Sequence, residues 1–476
     1  MKTKYIVIAA AVSLGMGFTS CNEDKLIFPD IEETPQVSAK VVESSLAEGA
    51  VVKAEDVAQI SLAYDGGIQL NPSSSVTLNG SHVYAEVQGR MVVVNVNLEP
   101  GTSYTLEVPA DAVIANKGYA HAEAFKLQFV TESASARDNA YLATLSNPDA
   151  SLQAKNVLNF LIEQNGKRIL SGGMANVDIN NDFNNWMYSV SYAYPALAGY
   201  DFINLNADWT DATDISAPLD QWKNNGLVSY MWHWCVPTDK AAYDAKDLER
   251  YGFNVPGGDN PTEFDIREAL KPGTWQNECI IKDIDKVAGV FKKLQDAGVP
   301  VIFRPLHEAA GSYEYNNPWF WWGRHGQDAT KELWKLMYDR LVRHHGLNNL
   351  LWVWTAQYSA GHEAELLAGY PGNDYVDMVG VDLYEQTDEA RPENYKGALA
   401  LTEGKRLVSL SEVGMLEDPA DCIAKGADWA WFMLWYTHNI HQQGFVTDSF
   451  GNTPEAIRAV MQSPFVINRE QMPSLK

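Results

Sequence analysis

Tryptophan is absent from the first 185 of the 476 residues, although the chain holds fifteen. Whatever the N-terminal third does, it lacks the flat side chain most used to stack on sugar rings. Cysteine is scarce as well: Cys21, Cys235, Cys279 and Cys422 form no CxxC pair, which argues against a zinc site. Setting Cys21 aside, three thiols allow at most one internal disulfide, and the sequence does not say which. Basic residues are outnumbered, with 36 Lys and Arg against 61 Asp and Glu, a formal net charge of −25. That balance argues against nucleic acid or an anionic membrane surface as partner and does not obstruct a neutral glycan. No phosphate-binding glycine loop and no serine elbow is present. Asp178, Asn180 and Asp182 mimic the opening of a calcium loop, but Phe183 stands where glycine is required and Ser189 where the closing Glu belongs.

A chain of this length predicts two domains. Lys2 and Lys4 precede an apolar stretch from Tyr5 to about Phe18, too short to span a bilayer and suited to a signal-peptide core. Phe18-Thr19-Ser20-Cys21 resembles a bacterial lipoprotein cleavage box, which implies that residues 1–21 are a targeting segment ending at a lipidated Cys21. The acidic Asn22-Glu23-Asp24 resembles the surface-export signal of Bacteroidetes lipoproteins. The expectation is an outer-membrane lipoprotein, on the cell surface or the periplasmic face, held by acyl chains that do not span the membrane. Residues 22–34 are then a flexible tether.

From Pro35 to Thr131 the pattern is all-β. In MVVVNVNL, Val92, Val94, Val96 and Leu98 fall on one face, with Val93, Asn95 and Asn97 on the other. Tyr104, Leu106 and Val108 alternate likewise, as do Phe125, Leu127 and Phe129. Turn signals at Asp65-Gly66-Gly67, Asn79-Gly80 and Pro100-Gly101 separate short strands of the kind that make a sandwich. The pattern resembles bacterial immunoglobulin-like modules, and the missing tryptophan favours a spacer over a glycan binder. A polar, aperiodic stretch, Thr131 to about Asn139, reads as the linker.

Beyond it strands and helices alternate. Predicted strands are Arg168–Ser171, Phe202–Leu205, Leu227–Trp232, Val299–Pro305, Leu350–Thr355, Val376–Leu383, Arg406–Leu410 and Phe432–Tyr436. Between them, Ile284, Val287, Phe291 and Leu294 recur at helical spacing and stop at Gly298; Leu333, Leu336, Met337 and Leu341 stop near Gly346. Eight such units over residues 132–476 predict an α/β domain, a (β/α)8 TIM barrel with its active site at the C-terminal strand ends.

The chemistry concentrates in VPVIFRPLHEAAGSYEYNNPWFWWG, residues 299–323. A buried β-branched run ends in His307 and Glu308, and Trp319, Phe320, Trp321 and Trp322 follow. HEAAG does not continue as a zinc-protease helix, because Gly311 stands where the second His is required. A proton donor beside apolar surfaces suits polysaccharide hydrolysis. The partner carboxylate is Glu412, delivered by RLVSLSEVG from the seventh strand as Glu308 leaves the fourth. Two such groups about 5 Å apart repel, so one stays protonated while its ionised neighbour attacks, with retention of configuration. A separation nearer 8 Å implies inversion.

RPLHEAAG, WFWWG, GVDLYE (Gly380 to Glu385) and SEVG (Ser411 to Gly414), in this order, resemble glycoside hydrolase family 26, mostly β-mannanases, over roughly Asn139 to Gln471. That family has His before the acid, as at His307, where most barrels of the wider clan have Asn. The resemblance implies Glu308 as general acid/base and Glu412 as nucleophile. It implies that Tyr384 hydrogen-bonds the nucleophile with Asp382 nearby, that Trp319, Phe320 and Trp435 wall the central subsites, and that His233 contacts the sugar. Arg304 and His307 would position the carboxylates. The segment Ser312 to Asn317 is longer than the commoner pattern. The implied activity is a retaining, monomeric endo-β-1,4-mannanase acting on mannan, glucomannan or galactomannan without cofactor or metal. Alternatives are another β-glycanase, such as a mixed-linkage glucanase or β-1,3-xylanase, or a non-catalytic surface glycan-binding lipoprotein.

Overall fold

The computed structural model describes residues 38–132, 141–311, 317–356, 358, 360–384, 390–435 and 452–476. Cys21, the targeting segment, the tether, most of the linker and residues 312–316 of the loop before Trp319 lie outside the described residues.

Residues 38–132 form an all-β region. One sheet has the order Val41–Ser44, Gln59–Tyr64, Met91–Asn95, Ala85–Gln88, and another the order Ala50–Val52, Phe125–Thr131, Ser103–Val108, Thr77–Leu78, Ser81–His82. The predicted alternation holds. Val92, Val94 and Leu98 join Leu106, Leu127 and Phe129 in one apolar core, while Val93 is buried outside it. Asn79 and Gly80, at φ 49° and 74°, make the turn that joins two short antiparallel strands, the left-handed pair a tight hairpin requires. This region packs through Phe125–Thr131 and Ser103–Val108 against the helix Pro419–Ala424. Ser103 Oγ donates to Asp421 Oδ1 at 2.9 Å, and Val130 belongs to the core of the following domain.

That domain is a closed parallel barrel of eight strands: β1 (Gly172–Asn176), β2 (Leu197–Asp201), β3 (Leu227–Met231), β4 (Val301–Arg304), β5 (Leu350–Thr355), β6 (Met378–Leu383), β7 (Leu407–Val413) and β8 (Phe432–Leu434). Every residue of β2 to β8 is buried, as expected for parallel strands covered on both faces. The helices beside them present the predicted stripes. Ile284, Val287, Phe291 and Leu294 lie buried on α1 (Trp275–Asp296), which ends before Gly298 at φ 71°. Leu333 and Met337 lie buried on α2 (Gln327–Tyr338), which runs on as a π-helical turn to His344. Burying each such side chain contributes about 1.5–3 kcal/mol. Eight tryptophans, among them Trp321 and Trp322, are fully buried. The aromatic cluster is therefore mostly core.

The first two strands depart from expectation. Ile169–Leu170 pairs with Val466–Ile467 outside the barrel, and β1 is the following segment, whose Gly172 and Gly173 read as strand breakers. Phe202–Leu205 is not a strand: residues 203–207 are helical, with the Ile203 N–H donating to Asp201 Oδ1 at 3.0 Å. The true β2 is LAGYD. Its small residues carry little β-propensity, yet the tight barrel interior demands them, because a Cβ on Gly199 would meet Met433 Sδ at 2.4 Å. The eighth strand ends at Leu434, and Tyr436 lies outside the described residues.

Candidate active site

The C-terminal ends of β4, β6 and β7 bring three buried carboxylates together. One oxygen each from Glu308, Asp382 and Glu412 lies within 4.8 Å of the others. Their backbone explains the convergence. The register of β6 against β7 slips between Val381 and Asp382, so that Val381 pairs with Leu410 but Asp382 with Glu412. A bulge of this kind re-aims a side chain. Beyond β4 the chain turns abruptly, with Leu306 at φ 51° and Glu308 at φ 53°. Left-handed backbone at a non-glycine residue is disfavoured by about 1–2 kcal/mol, so the surrounding packing imposes it. Such torsions cluster at functional sites.

Arg304 ties the acids together from the end of β4. One guanidinium nitrogen donates to Asp382 Oδ2 at 2.7 Å, and the other is hydrogen-bonded to Glu412 Oε1. All three side chains are at most 4 % exposed. Among the described residues these three carboxylates are the set whose spacing suits a divalent cation, but two of them already carry the Arg304 charge. Tyr384, immediately after β6, donates its hydroxyl to Glu412 Oε2. Trp319 donates its indole N–H to Glu308 Oε2 at 2.7 Å.

These contacts split the carboxylates electrostatically. Burial pushes the Glu308 carboxyl well above the usual range, and the charges of Asp382 and Glu412 push the same way, against Arg304 and the Trp319 N–H. Burial also raises Asp382, opposed by Arg304. Glu412 is ion-paired with Arg304 and accepts a hydrogen bond from the Tyr384 hydroxyl. An acid biased toward its protonated form thus stands beside a carboxylate held by a guanidinium, an asymmetry suited to acid/base and nucleophilic work on one bond.

The remaining predicted residues surround this pair. His233, two residues beyond β3, lies 4.5 Å from the His307 ring, 5.4 Å from Phe320 and 6.0 Å from Trp435, measured between ring centroids. Trp319 and Trp435 are partly exposed and can offer a ring face to a ligand. Phe320 is only 6 % exposed and lies edge-on to both histidines, so it packs them more than it offers a face. Neither ring nitrogen of His307 is hydrogen-bonded to Glu308; its Nε2 faces His233 Nε2 at 3.2 Å, and its carbonyl accepts from Trp322 Nε1 at 2.8 Å. Burial, with the Arg304 charge, holds the His307 imidazole well below its usual range.

Two contributors escaped the sequence reading. Thr355, at the end of β5, is within 3.4 Å of Arg304 Nη1. Asp201, at the end of β2, is paired with His233 Nδ1. Asp201 was accessible to the rule that located Glu412, a carboxylate at the C-terminal end of a barrel strand, but β2 was expected five residues too late. Cys235, Cys279 and Cys422 are all free thiols, so no disulfide links them. The Asp178 segment binds its own neighbours: Oδ1 accepts from Asn204 and from Thr210, each at 3.1 Å.

Comparison with known proteins agrees with this geometry. The chain is 32 % identical over 376 residues to a mannan endo-1,4-beta-mannosidase B of Piromyces sp., a match covering 76 % of this chain and 59 % of that enzyme. The solved GH26 domain of an endo-beta-mannanase/endo-beta-glucanase from Prevotella bryantii is 31 % identical, with a TM-score of 0.61, covering 70 % of this chain and 99 % of that one. A beta-mannanase from a symbiotic protist of the termite Reticulitermes speratus, solved with gluco-manno-oligosaccharide, is 30 % identical, with a TM-score of 0.60 over 71 % of this chain and all of that one. The signature of glycosyl hydrolase family 26 matches residues 146–471, and with strand order, site and relatives in agreement, the chain belongs to that family.

Proposed function

We propose that the chain is a retaining endo-β-1,4-mannanase in which Glu308 is the general acid/base and Glu412 the nucleophile. The observation that carries this reading is the approach of Glu308 and Glu412 oxygens to within 4.8 Å. Retaining glycosidases hold their carboxyl groups about 5–5.5 Å apart, whereas inverting ones need about 6.5–9.5 Å to admit a water. Glu308 begins protonated and gives its proton to the departing sugar oxygen as Glu412 attacks the anomeric carbon. A water that loses its proton to Glu308 then releases the Glu412-bound glycosyl group. Arg304 and Tyr384 orient Glu412, Trp319 orients Glu308, and Asp382 anchors Arg304. His233 meets the sugar at the cleavage point, beside the partly exposed rings of Trp319 and Trp435, with Phe320 and His307 packed behind. The mannosidase relatives and the gluco-manno-oligosaccharide complex support mannan or glucomannan as substrate, and galactomannan is the further form proposed.

The test measures reducing-sugar release from mannan, xylan and mixed-linkage glucan by wild type and by Glu412→Ala, with the first-formed anomer read by NMR. Release from mannan with β product, abolished in the variant, is expected. Release from glucan alone, or an α first product, overturns the reading.

For the N-terminal part, the signal-like run ending at Cys21 supports a lipid-anchored, outer-membrane protein of Bacteroidetes type. In it residues 35–131 serve as an immunoglobulin-like spacer for a monomeric enzyme. Incorporation of labelled palmitate that Cys21→Ala abolishes is the expected result.

A further inference from the structure

Asp201 is fully buried, and both of its oxygens contact His233. Oδ1 accepts the backbone N–H of His233 at 2.9 Å, in addition to that of Ile203, and Oδ2 is paired with His233 Nδ1. Among the described residues His233 is its ion-pair partner. A buried carboxylate is costly without a countercharge, so Asp201 draws one from the imidazole.

The other side of that ring is equally constrained. His233 Nε2 lies 3.2 Å from His307 Nε2, a spacing at which one nitrogen carries a proton and the other does not. With Nδ1–H directed at Asp201, a protonated His233 donates from Nε2 to His307. Neutral His307 then carries its remaining proton on Nδ1, which is buried and has no hydrogen-bond partner. A positive charge on this pair is stabilised on His233, the ring with a carboxylate at its other nitrogen, and not on His307, whose other nitrogen is buried without a partner. His233 is faced by Asp201 from β2, by Arg304 from β4, by His307 from the turn after β4, and by Glu412 from β7. Burial pulls its pKa down and Arg304 adds to this, but Asp201, through charge and hydrogen bond, and Glu412 together carry the net shift upward.

We infer that Asp201 is a positioning residue of the hydrolysis: it fixes the orientation and the positive charge of His233, so that an imidazolium stands beside Glu412 and packs His307 ahead of Glu308. The cation complements the Glu412 carboxylate and presents a fixed ring edge to the sugar. Asp201 itself touches no reacting atom. The inference rests on the mannanase reading for its catalytic meaning but not for its structural one.

The test is the titration of His233 by heteronuclear NMR of the full chain with labelled histidine, assigned with His233→Asn. In wild type the His233 midpoint is expected above the ordinary imidazole value of about 6.5. In Asp201→Asn, which keeps an oxygen for both backbone donors, it falls by at least about one pH unit. At pH 7 kcat on mannan falls roughly 10- to 100-fold, with KM changing less. A wild-type midpoint at or below the ordinary value overturns the inference, even if Asp201→Asn does not fold. An unmoved midpoint in a folded Asp201→Asn does the same. Absence of mannan hydrolysis by wild type leaves the titration readable and counts against the mannanase reading alone.

Discussion

Trp319 donates its indole N–H to Glu308 Oε2 at 2.7 Å, which makes this tryptophan an electrostatic partner of the acid as well as part of the cleft wall. A donor aimed at a carboxyl oxygen favours the ionised form. Trp319 therefore restrains the upward shift that burial and the neighbouring acids impose on Glu308. Trp319→Phe keeps a ring and removes the donor. The Glu308 pKa then rises further, and the alkaline limb of kcat/KM moves to higher pH. A pH–rate series on a soluble manno-oligosaccharide checks this, and a limb displaced to lower pH refutes it.

Glu308 also burdens the fold. Its carboxyl has a higher pKa folded than unfolded, so between the two values the native state binds the extra proton. Stability is then lost as pH rises from about 4.3 through the raised folded value, and the full penalty is present above it. Glu308→Gln removes the titration and keeps an acceptor for Trp319. The variant is expected to be more stable than wild type by about 1–2 kcal/mol at pH 8, with the advantage vanishing near pH 4, as read from urea unfolding midpoints.

Arg304 is the countercharge of two buried acids. Arg304→Met leaves Asp382 and Glu412 without it, and losing one partner of a buried ion pair costs about 3–5 kcal/mol. Arg304→Lys is expected to recover only part of this, since a single ammonium does not reproduce a fork that reaches both carboxylates. Denaturant titrations of the two variants measure the difference.

Gly311 closes the turn that carries Glu308. It sits at φ 83°, and a Cβ there would meet the Asn317 carbonyl oxygen at 1.9 Å. Gly311→Ala pushes the turn away from that strand of backbone. Activity on mannan is expected to fall at least about tenfold, since small displacements of catalytic groups are costly, while the far-UV CD spectrum of the barrel persists. Kinetics and CD on the same sample test both halves.

The barrel was legible where burial writes long apolar runs. LLWVWT at 350–355 coincides with β5 residue for residue, and RLVSLSEVG located Glu412 because Leu407, Val408 and Leu410, broken only by small serines, lead directly to the carboxylate. The opening of the barrel was not legible. β1 (GGMAN) and β2 (LAGYD) place Gly and Ala where interior space is short, so local propensity pointed instead to the more β-like FINL. That displacement hid Asp201. The His307–His233 contact was equally hidden, since two rings 74 residues apart meet only after β3 and β4 have paired.

The paired left-handed torsions at Leu306 and Glu308 tie the reach of the acid to the packing around it. Backbone of this kind persists only where its surroundings over-determine it, so gentle heating is expected to silence hydrolysis before it melts the helices, a gap that activity and CD recorded on one sample would measure.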